Sequence, residues 1–172
     1  MQQIKLVILD CDGVLTDGKL IYNDEGIESK NFSAQDGLGI KLLQQSDIEI
    51  AVVTGKKSNI LKRRCEVLKI KYLYQNIHNK VKVSRKLLNK LNLSWSNLAY
   101  MGDDWNDYPV IKKAAFSAAP ANANPDFRKK VDLVTKSKGG NGAVREFIVY
   151  ILKKQNKYEK TLAKFINKLE NS

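Results

Sequence analysis

A short apolar run near the start of the chain ends in two carboxylates and a glycine. Residues 5–9 read Lys-Leu-Val-Ile-Leu, and Asp10, Cys11, Asp12 and Gly13 follow them. In an extended backbone, residues two apart point to the same face, so Asp10 and Asp12 are predicted to converge beyond the end of a strand. Two carboxylates this close repel each other unless a cation lies between them or one keeps its proton. The pair therefore indicates chemistry, in which one carboxylate attacks, its neighbour moves protons and a hard divalent cation screens both.

Stretches of strand character recur along the chain and are separated by predicted helices, at residues 48–54, 72–74, 98–102, 115–119 and 132–135. This alternation predicts an α/β fold of the Rossmann-like, doubly wound type, with a mainly parallel sheet and helices on both faces. Ligands bind such folds beyond the carboxyl ends of the strands. Several polar residues fall at those ends and are expected on one rim, namely Asp10, Asp12, Thr54 and Asp103.

A protruding β-hairpin is predicted at about residues 18–32, because two short strand-like runs flank Asp-Glu-Gly at residues 24–26. An isolated hairpin is marginally stable in water, so this one must pack on something. A helix capped by Asp36 is expected next. Further helices are expected from about Ser58 to Leu68 and over residues 80–91.

The C-terminal part of the chain is predicted to be one helix that begins near Gly142. Residues 1–150 are expected to form a single domain, and residues 151–172 a helical tail that is not a separate domain. Apolar residues continue into the tail at three- and four-residue spacing, at Ile148, Ile151, Tyr158, Leu162, Phe165 and Leu169. The stripe has two interpretations: the tail lies on its own domain, or it meets a partner helix or neighbouring subunit.

Composition limits the partners. No apolar run approaches the roughly 20 residues that span a bilayer, and the N-terminal one is too short for the core of a signal peptide, so we expect a cytoplasmic protein with no membrane partner. The formal charge of +12 favours anionic partners, either nucleic acid or a phosphorylated acid. No nucleic-acid-binding motif accompanies the charge, so nucleic acid is not an expected partner.

The two cysteines do not indicate a functional site. Cys11 and Cys65 are too few for a disulfide framework, and they lack the spacing of zinc ligands. A cysteine phosphatase needs an arginine six residues after its cysteine, whereas these positions hold Asp17 and Lys71. That enzyme class is excluded.

Several motifs follow one another in a fixed order over roughly residues 4–150: Asp10 to Gly18, Thr54-Gly55, Asn79-Lys80, Gly102 to Asp107, and Gly139 to Glu146. An isolated Asp-Xaa-Asp-Gly would be weak evidence, but the ordered set is specific. It resembles the haloacid dehalogenase superfamily of aspartate-dependent phosphatases, and in particular its small cap-less branch.

The resemblance implies a catalytic role for each matching residue. Asp10 is implied to attack phosphorus and form an aspartyl-phosphate, while Asp12 gives a proton to the leaving oxygen and takes one from water. Thr54 and Gly55 are implied to donate hydrogen bonds to the phosphoryl oxygens. Lys80 is implied to neutralise the charge that develops on the transferring group.

The resemblance also implies Mg²⁺ as cofactor. The implied ligands are the carboxylate of Asp10, the backbone carbonyl of Asp12 and the carboxylate of Asp103. Asp104 and Asp107 are expected to act on the metal through water or through its ligands.

The implied substrate is a small phosphorylated 2-keto-3-deoxy sugar acid, in the first place 3-deoxy-D-manno-octulosonate (KDO) 8-phosphate. Cationic side chains are expected to bind its carboxylate, with Lys56, Lys57, Arg64 and Arg145 as candidates. The chain carries Lys56 and Asn141 where the family usually has arginine, and lysine cannot reproduce a bidentate guanidinium contact. Nine-carbon sugar acid 9-phosphates of the neuraminate type therefore stay open as the alternative.

No cap domain fits into the sequence, because only 25 residues separate Thr54 from Lys80. Water around an aspartyl-phosphate must be controlled, so something else has to cover the site. Relatives of this kind assemble as homotetramers, which implies that hairpins and tails of neighbouring subunits form the lid. One alternative is an open site for a macromolecular substrate. Another is a non-catalytic receiver-like domain, although receivers carry the phosphorylated aspartate on a middle strand.

Overall fold

The computed structural model describes residues 3–171 as a parallel sheet between two layers of helices. The strands are β1 (Leu6–Leu9), β2 (Ile21–Tyr22), β3 (Glu28–Ser29), β4 (Glu49–Val53), β5 (Tyr72–Tyr74), β6 (Leu98–Met101), β7 (Phe116–Ala119) and β8 (Leu133–Val134). The helices are α1 (Ala34–Leu43), α2 (Asn59–Val67), α3 (Lys80–Lys90), α4 (Tyr108–Ile111), α5 (Pro125–Arg128), α6 (Ala143–Lys154) and α7 (Tyr158–Glu170).

In the described residues the main sheet has six strands in the order β5-β4-β1-β6-β7-β8, and every neighbouring pair is parallel. The predicted doubly wound α/β fold is confirmed. The chain moves outward from β1 in one direction through β4 and β5, and in the other through β6 to β8. The crevice of such a sheet lies where the direction reverses, which is at the carboxyl end of β1.

Two hydrophobic cores cover the two faces of this sheet. The first core lies under α1, α2 and α6 and takes Val7 and Leu9 of β1, whereas the second lies under α3, α4 and α5 and takes Leu6 and Ile8. All four side chains are fully buried. A strand enclosed on both faces must be apolar throughout, which explains why β1 has no polar alternation.

The predicted hairpin is present as β2 and β3, which pair antiparallel with Tyr22 opposite Glu28. Asn23 closes the turn, because its Oδ1 accepts a hydrogen bond of 2.8 Å from the Ile27 N–H. The large apolar side chains of the hairpin are about half exposed: Leu20, Ile21, Tyr22 and Ile27. Between β1 and α3 the described chain contains only this hairpin, α1, α2 and short strands, so no cap domain is inserted there.

The predicted cap of α1 is wrong. Ser33 is the N-cap, and its hydroxyl accepts a 3.3 Å hydrogen bond from the Asp36 N–H. The buried carboxylate of Asp36 instead accepts hydrogen bonds from the N–H groups of Gly142 (3.2 Å) and Arg145 (2.9 Å), at the start of α6. Asp36 therefore caps a helix that begins more than 100 residues later.

The single C-terminal helix predicted from Gly142 is also wrong, since the chain forms two helices there. Asn156 adopts a left-handed conformation (φ 55°) between α6 and α7, which asparagine tolerates better than most residues. Lys157 then turns back, and its ammonium lies 2.6 Å from Asp47. Because α6 continues to Lys154, the expected boundary at residue 150 lies inside a helix.

The tail helix α7 packs on its own domain through one side of its apolar stripe. Tyr158, Leu162 and Phe165 pack against the first core, whereas Ile166 and Leu169 stay exposed. In the part of the chain that the structure describes, α7 and the other helices are too short or too polar to cross a membrane.

Candidate active site

The carboxyl ends of β1, β4 and β6 bring the predicted catalytic residues together. Asp10 comes directly after β1, Thr54 directly after β4, and Asp103 two residues after β6. The Asp10 N–H donates a 3.0 Å hydrogen bond to the carbonyl of Met101, which continues the pairing with β6. A cleft of about 480 Å³ opens here, lined by Asp10, Asp12, Thr54, Gly55, Lys56, Asp103, Asp104, Trp105 and Asn106.

Gly13 allows the chain to turn tightly behind the two carboxylates. Its φ of 88° is unfavourable for residues with a side chain, and a Cβ there would lie 2.1 Å from Oδ2 of Asp103. The glycine-rich turn packs on this loop equally closely, since a Cβ on Gly139 would lie 1.8 Å from the Gly13 carbonyl oxygen. Two motifs far apart in sequence are therefore in direct backbone contact.

Three carboxylates crowd together at this edge of the sheet. Oxygens of Asp10, Asp103 and Asp107 lie within 4.8 Å of one another. Burial, together with the Asp107 carboxylate, raises the pKa of Asp10 to about 7. Burial, together with Asp10 and Asp107, raises the pKa of Asp103 to about 7. Such a cluster is unfavourable when fully ionised unless a cation joins it.

The cluster fits a hard divalent cation. Carboxylate oxygens are the ligands that Mg²⁺ takes in proteins. Oδ1 of Asp10 is buried and lies 2.9 Å from the Lys80 ammonium, yet it accepts no hydrogen bond of regular geometry from the residues that the structure describes. This oxygen therefore has bonding capacity left for a metal. Of the two residues expected to assist the metal, Asp107 lies in the cluster, whereas the exposed Asp104 lies outside it.

Lys80 connects two of these carboxylates. It is the first residue of α3, whose N-cap Asn79 accepts a 2.9 Å hydrogen bond from the Lys82 N–H. The Lys80 ammonium donates to Oδ1 of Asp107 at 2.7 Å, and Asp10 lies 2.9 Å away. Burial alone would lower the pKa of Lys80, but the Asp10 and Asp107 carboxylates outweigh it, so this pKa is raised. The lysine therefore stays charged at the centre of the site.

Asp107 is held from two further sides. The hydroxyl of Tyr100 donates to its Oδ1 at 2.5 Å, and the Asp103 N–H donates to its Oδ2 at 3.2 Å. Tyr100 is fully buried in β6 and is a site residue that the sequence reasoning missed. The available signal was a tyrosine in an apolar strand, because a buried hydroxyl needs a partner.

Asp12 faces the hairpin and not the acidic cluster. Its side chain is 25% exposed and forms an ion pair with Lys30, the residue directly after β3. The Lys30 side chain is only 2% exposed, and its ammonium also lies 3.3 Å from Oε1 of Glu28. Sequence reasoning missed Lys30 as well. The available signal was the spacing of Glu28 and Lys30, which places them on one face of a strand.

The phosphate-binding candidates lie where β4 ends. Thr54 is 2% exposed, and its N–H donates to the carbonyl of Tyr74 at 2.9 Å. Its hydroxyl oxygen accepts a long hydrogen bond of 3.4 Å from the Lys56 N–H. Gly55 and the exposed Lys56 line the cleft beside it. This loop therefore places the Thr54 hydroxyl and Gly55 at the wall of the cleft.

The two predicted substrate-binding arginines do not line the cleft. One guanidinium nitrogen of Arg64 donates to the carbonyl of Ser33 at 3.0 Å, and the guanidinium lies 5.7 Å from the centre of the Phe32 ring. Arg145 is half-buried at the start of α6, where its stem packs on Gly39. Both residues make contacts within the fold, and a substrate contact from either stays a prediction.

Comparisons with known proteins show the family to which this chain belongs. A family model described as haloacid dehalogenase-like hydrolase matches residues 69–148. The 3-deoxy-D-manno-octulosonate 8-phosphate phosphatase of Escherichia coli K12 is 43% identical over 158 residues, which cover 92% of this chain and 84% of the relative.

Two solved structures have the same fold. The 3-deoxy-D-manno-octulosonate 8-phosphate phosphatase of Moraxella catarrhalis, in complex with magnesium, phosphate and KDO, has a TM-score of 0.89 and 41% identity, covering 94% of this chain and 93% of that one. The cobalt-bound deoxy-D-mannose-octulosonate 8-phosphate phosphatase of Haemophilus influenzae has a TM-score of 0.86 and 40% identity, covering 91% of each chain. The present chain belongs to the haloacid dehalogenase superfamily and, within it, to the family of phosphatases that these relatives form.

Proposed function

We propose that this protein is a Mg²⁺-dependent phosphatase that hydrolyses KDO 8-phosphate to KDO and phosphate. The observation that carries the proposal is the buried Asp10 at the end of β1, which lies 2.9 Å from Lys80 and within 4.8 Å of two further carboxylates. The name of the E. coli relative and the magnesium, phosphate and KDO in the M. catarrhalis structure support the choice of substrate and metal.

The reaction proceeds in two steps through an aspartyl-phosphate. A carboxylate oxygen of Asp10 attacks phosphorus, and the bond from phosphorus to the sugar oxygen breaks while Asp12 gives that oxygen a proton. Asp12 then takes a proton from the water that hydrolyses the aspartyl-phosphate. The Thr54 hydroxyl and the Gly55 N–H bind phosphoryl oxygens, and Lys80 neutralises the charge that develops on them.

Asp10 and Asp103 would hold the metal together with the backbone carbonyl of Asp12. When bound, Mg²⁺ supplies positive charge that offsets the crowding of the carboxylates and polarises the phosphoryl group. Asp107 positions its neighbours, because its two oxygens already accept hydrogen bonds from Lys80, Tyr100 and the Asp103 N–H. Asp104 lines the cleft and would reach the metal through water.

Lys56 is the cation best placed to meet the carboxylate of the sugar acid, since it is exposed on the wall of the cleft. The nine-carbon neuraminate-type 9-phosphates have the same carboxylate and a longer polyol chain, so they are the second candidate class. Arg64 and Arg145 are the further candidates for substrate contacts.

A substrate screen tests this proposal. Phosphate release is measured with KDO 8-phosphate, a neuraminate-type 9-phosphate, a 5′-phosphorylated oligonucleotide and a phosphopeptide, each with Mg²⁺ and with EDTA. We expect the highest kcat/KM for KDO 8-phosphate, loss of activity with EDTA, and loss of activity in Asp10→Asn. A higher kcat/KM for the nine-carbon acid would show that KDO 8-phosphate is not the preferred substrate. Full activity of Asp10→Asn would contradict the mechanism.

We further propose that the active form is a homotetramer in which hairpins and tails of neighbouring subunits cover the cleft. The half-exposed hairpin residues Leu20, Tyr22 and Ile27 support it, as do the exposed Ile166 and Leu169 of α7. Sedimentation equilibrium should give about four times the chain mass of 19.5 kDa. A fully active monomer would contradict it.

A further inference from the structure

The two carboxylates of the Asp10–Asp12 pair are each joined to a different lysine. Asp10 lies beside Lys80, which is the first residue of α3 at the edge of the main sheet. Asp12 lies beside Lys30, which comes from the hairpin. Both lysine side chains are almost completely buried, at 3% and 2% exposed. The hairpin therefore contributes a side chain that contacts Asp12 and does not only protrude from the domain.

A lysine at the position of Lys30 needs strong compensation. Burial removes the side chain from water and restricts several rotatable bonds, and both effects oppose folding. The Asp12 and Glu28 carboxylates provide that compensation, and together they raise the pKa of Lys30 although its burial acts in the opposite direction. The ion pair with Lys30 also restricts the Asp12 side chain. This side chain is 25% exposed, and without the ammonium it would sample several rotamers.

We propose that Lys30 is a positioning residue for the reaction, which holds the Asp12 carboxylate in the orientation from which it exchanges protons with the leaving oxygen and with water. The inference rests on the proposed function. Lys30 is absent from the described residues that line the cleft, so it acts through Asp12 and not on the phosphoryl group itself.

The size of the effect follows from the geometry of proton transfer. General acid–base assistance contributes about 10²- to 10⁴-fold, and a misplacement of about 1 Å costs about 10²-fold. Removing the ammonium should therefore lower the rate of steps that need Asp12 by about 10- to 100-fold. Substrate binding should change little, and both steps with KDO 8-phosphate need Asp12, so KM for this substrate should stay within about threefold of the wild-type value.

Two substrates separate a loss of proton transfer from a general loss of activity. KDO 8-phosphate releases an alkoxide that needs a proton, whereas p-nitrophenyl phosphate releases a stable anion that does not. The first turnover of each is measured by rapid mixing for wild type, Lys30→Met, Lys30→Arg and Lys129→Met. Lys129→Met is the matched control, because this lysine lies outside the hairpin and the tail, is 72% exposed and forms an ion pair with Asp126, 2.7 Å away.

For Lys30→Met we expect a first turnover of KDO 8-phosphate that is about 10- to 100-fold slower. With p-nitrophenyl phosphate the first turnover should stay within about threefold of wild type, followed by a slow steady state, because hydrolysis of the aspartyl-phosphate still needs Asp12. Lys30→Arg should recover most of the lost rate, and Lys129→Met should behave as wild type. Equal slowing with both substrates, or no slowing with either, would overturn the inference.

A double-variant comparison keeps the test valid if Lys30→Met is less stable. If Lys30 acts through Asp12, adding Lys30→Met to Asp12→Asn should cost less than about twofold. A further tenfold loss in that background would contradict the inference. Thermal melts of all variants accompany the kinetics. A wild-type protein without Mg²⁺-dependent activity on either substrate would refute the proposed function and this inference with it, whereas an active wild type with an unaffected Lys30→Met would refute only the latter.

Discussion

The ammonium of Lys80 lies 2.7 Å from Oδ1 of Asp107, and the two side chains are 3% and 0% exposed. Asp10 lies 2.9 Å from the same ammonium, so one buried cation serves two buried carboxylates. Breaking a buried ion pair by removing one partner leaves a charge without compensation, which typically costs about 3–5 kcal/mol. Stability and the proposed catalysis therefore depend on the same lysine.

The first prediction concerns Lys80→Met. Without the Lys80 ammonium, the Asp10 and Asp107 carboxylates repel each other. The negative charge that develops on the phosphoryl group also loses a hydrogen-bond donor. We expect the free energy of unfolding to fall by about 3–5 kcal/mol without metal, and kcat to fall by about 10²- to 10³-fold with it. Urea unfolding and phosphate release measure the two effects. Lys82→Met, an exposed change on the same helix, is the control and should alter neither.

The second prediction concerns the hydroxyl of Tyr100. Tyr100→Phe removes a buried donor to Oδ1 of Asp107 and leaves the Lys80 contact in place. We expect a loss of about 1–3 kcal/mol in the free energy of unfolding. The rate should fall by less than in Lys80→Met, because the charge that faces the phosphoryl group is retained. Urea unfolding measures this loss. Tyr22→Phe is the control, because Tyr22 is a hairpin residue that is 57% exposed. A urea midpoint of Tyr100→Phe equal to that of wild type would contradict this prediction.

The third prediction links pH, metal and stability. Burial and neighbouring carboxylates raise the pKa values of Asp10 and Asp103 to about 7, above the value of about 3.9 for an unfolded chain. Between these pH values the metal-free folded state binds more protons than the unfolded state, so its stability falls as pH rises from about 4 to about 7. Mg²⁺ needs the ionised carboxylates, so metal binding strengthens over the same range.

Melting temperatures with EDTA and with Mg²⁺ test this at pH 5 and pH 7.5. At a Mg²⁺ concentration of about 100 times Kd the metal adds about 2.7 kcal/mol, or about 5–10 °C for a chain of this size. We expect that increase at pH 7.5 and a much smaller one at pH 5. Asp103→Asn should be more stable than wild type with EDTA at pH 7.5 and gain little from Mg²⁺. An equal Mg²⁺ effect at both pH values would contradict the linkage.

The site could be predicted from sequence where it depends on strand ends. The strand pattern and the parallel sheet together place Asp10, Thr54 and Asp103 on one rim, because neighbouring parallel strands finish at the same edge. Lys30 and Tyr100 could not be found this way. Their contacts depend on how the hairpin folds back over Asp12 and on which face of β6 meets Asp107, and neither follows from local periodicity.

The fold was predictable for the same reason, and the errors lie in helix ends. Ser33 and Asp36 both have side chains that cap helices, and local sequence does not decide between them. Tertiary structure determines which helix Asp36 caps, because the start of α6 lies beside it and two N–H groups there donate to its carboxylate. The break between α6 and α7 likewise depends on one asparagine in a left-handed conformation within an otherwise continuous apolar stripe.

The fourth prediction follows from this long-range cap. Asp36→Ala leaves the N–H groups of Gly142 and Arg145 without their acceptor, in a buried position. The two donors left unpaired cost about 1–3 kcal/mol each, so we expect a total loss of about 2–6 kcal/mol in urea unfolding. The same variant should lower kcat several-fold, because the glycine-rich turn before α6 contacts the loop behind Asp12. Asp24→Asn, an exposed change in the hairpin turn, is the control, and an Asp36→Ala protein as stable as this control would show that α6 does not need the cap.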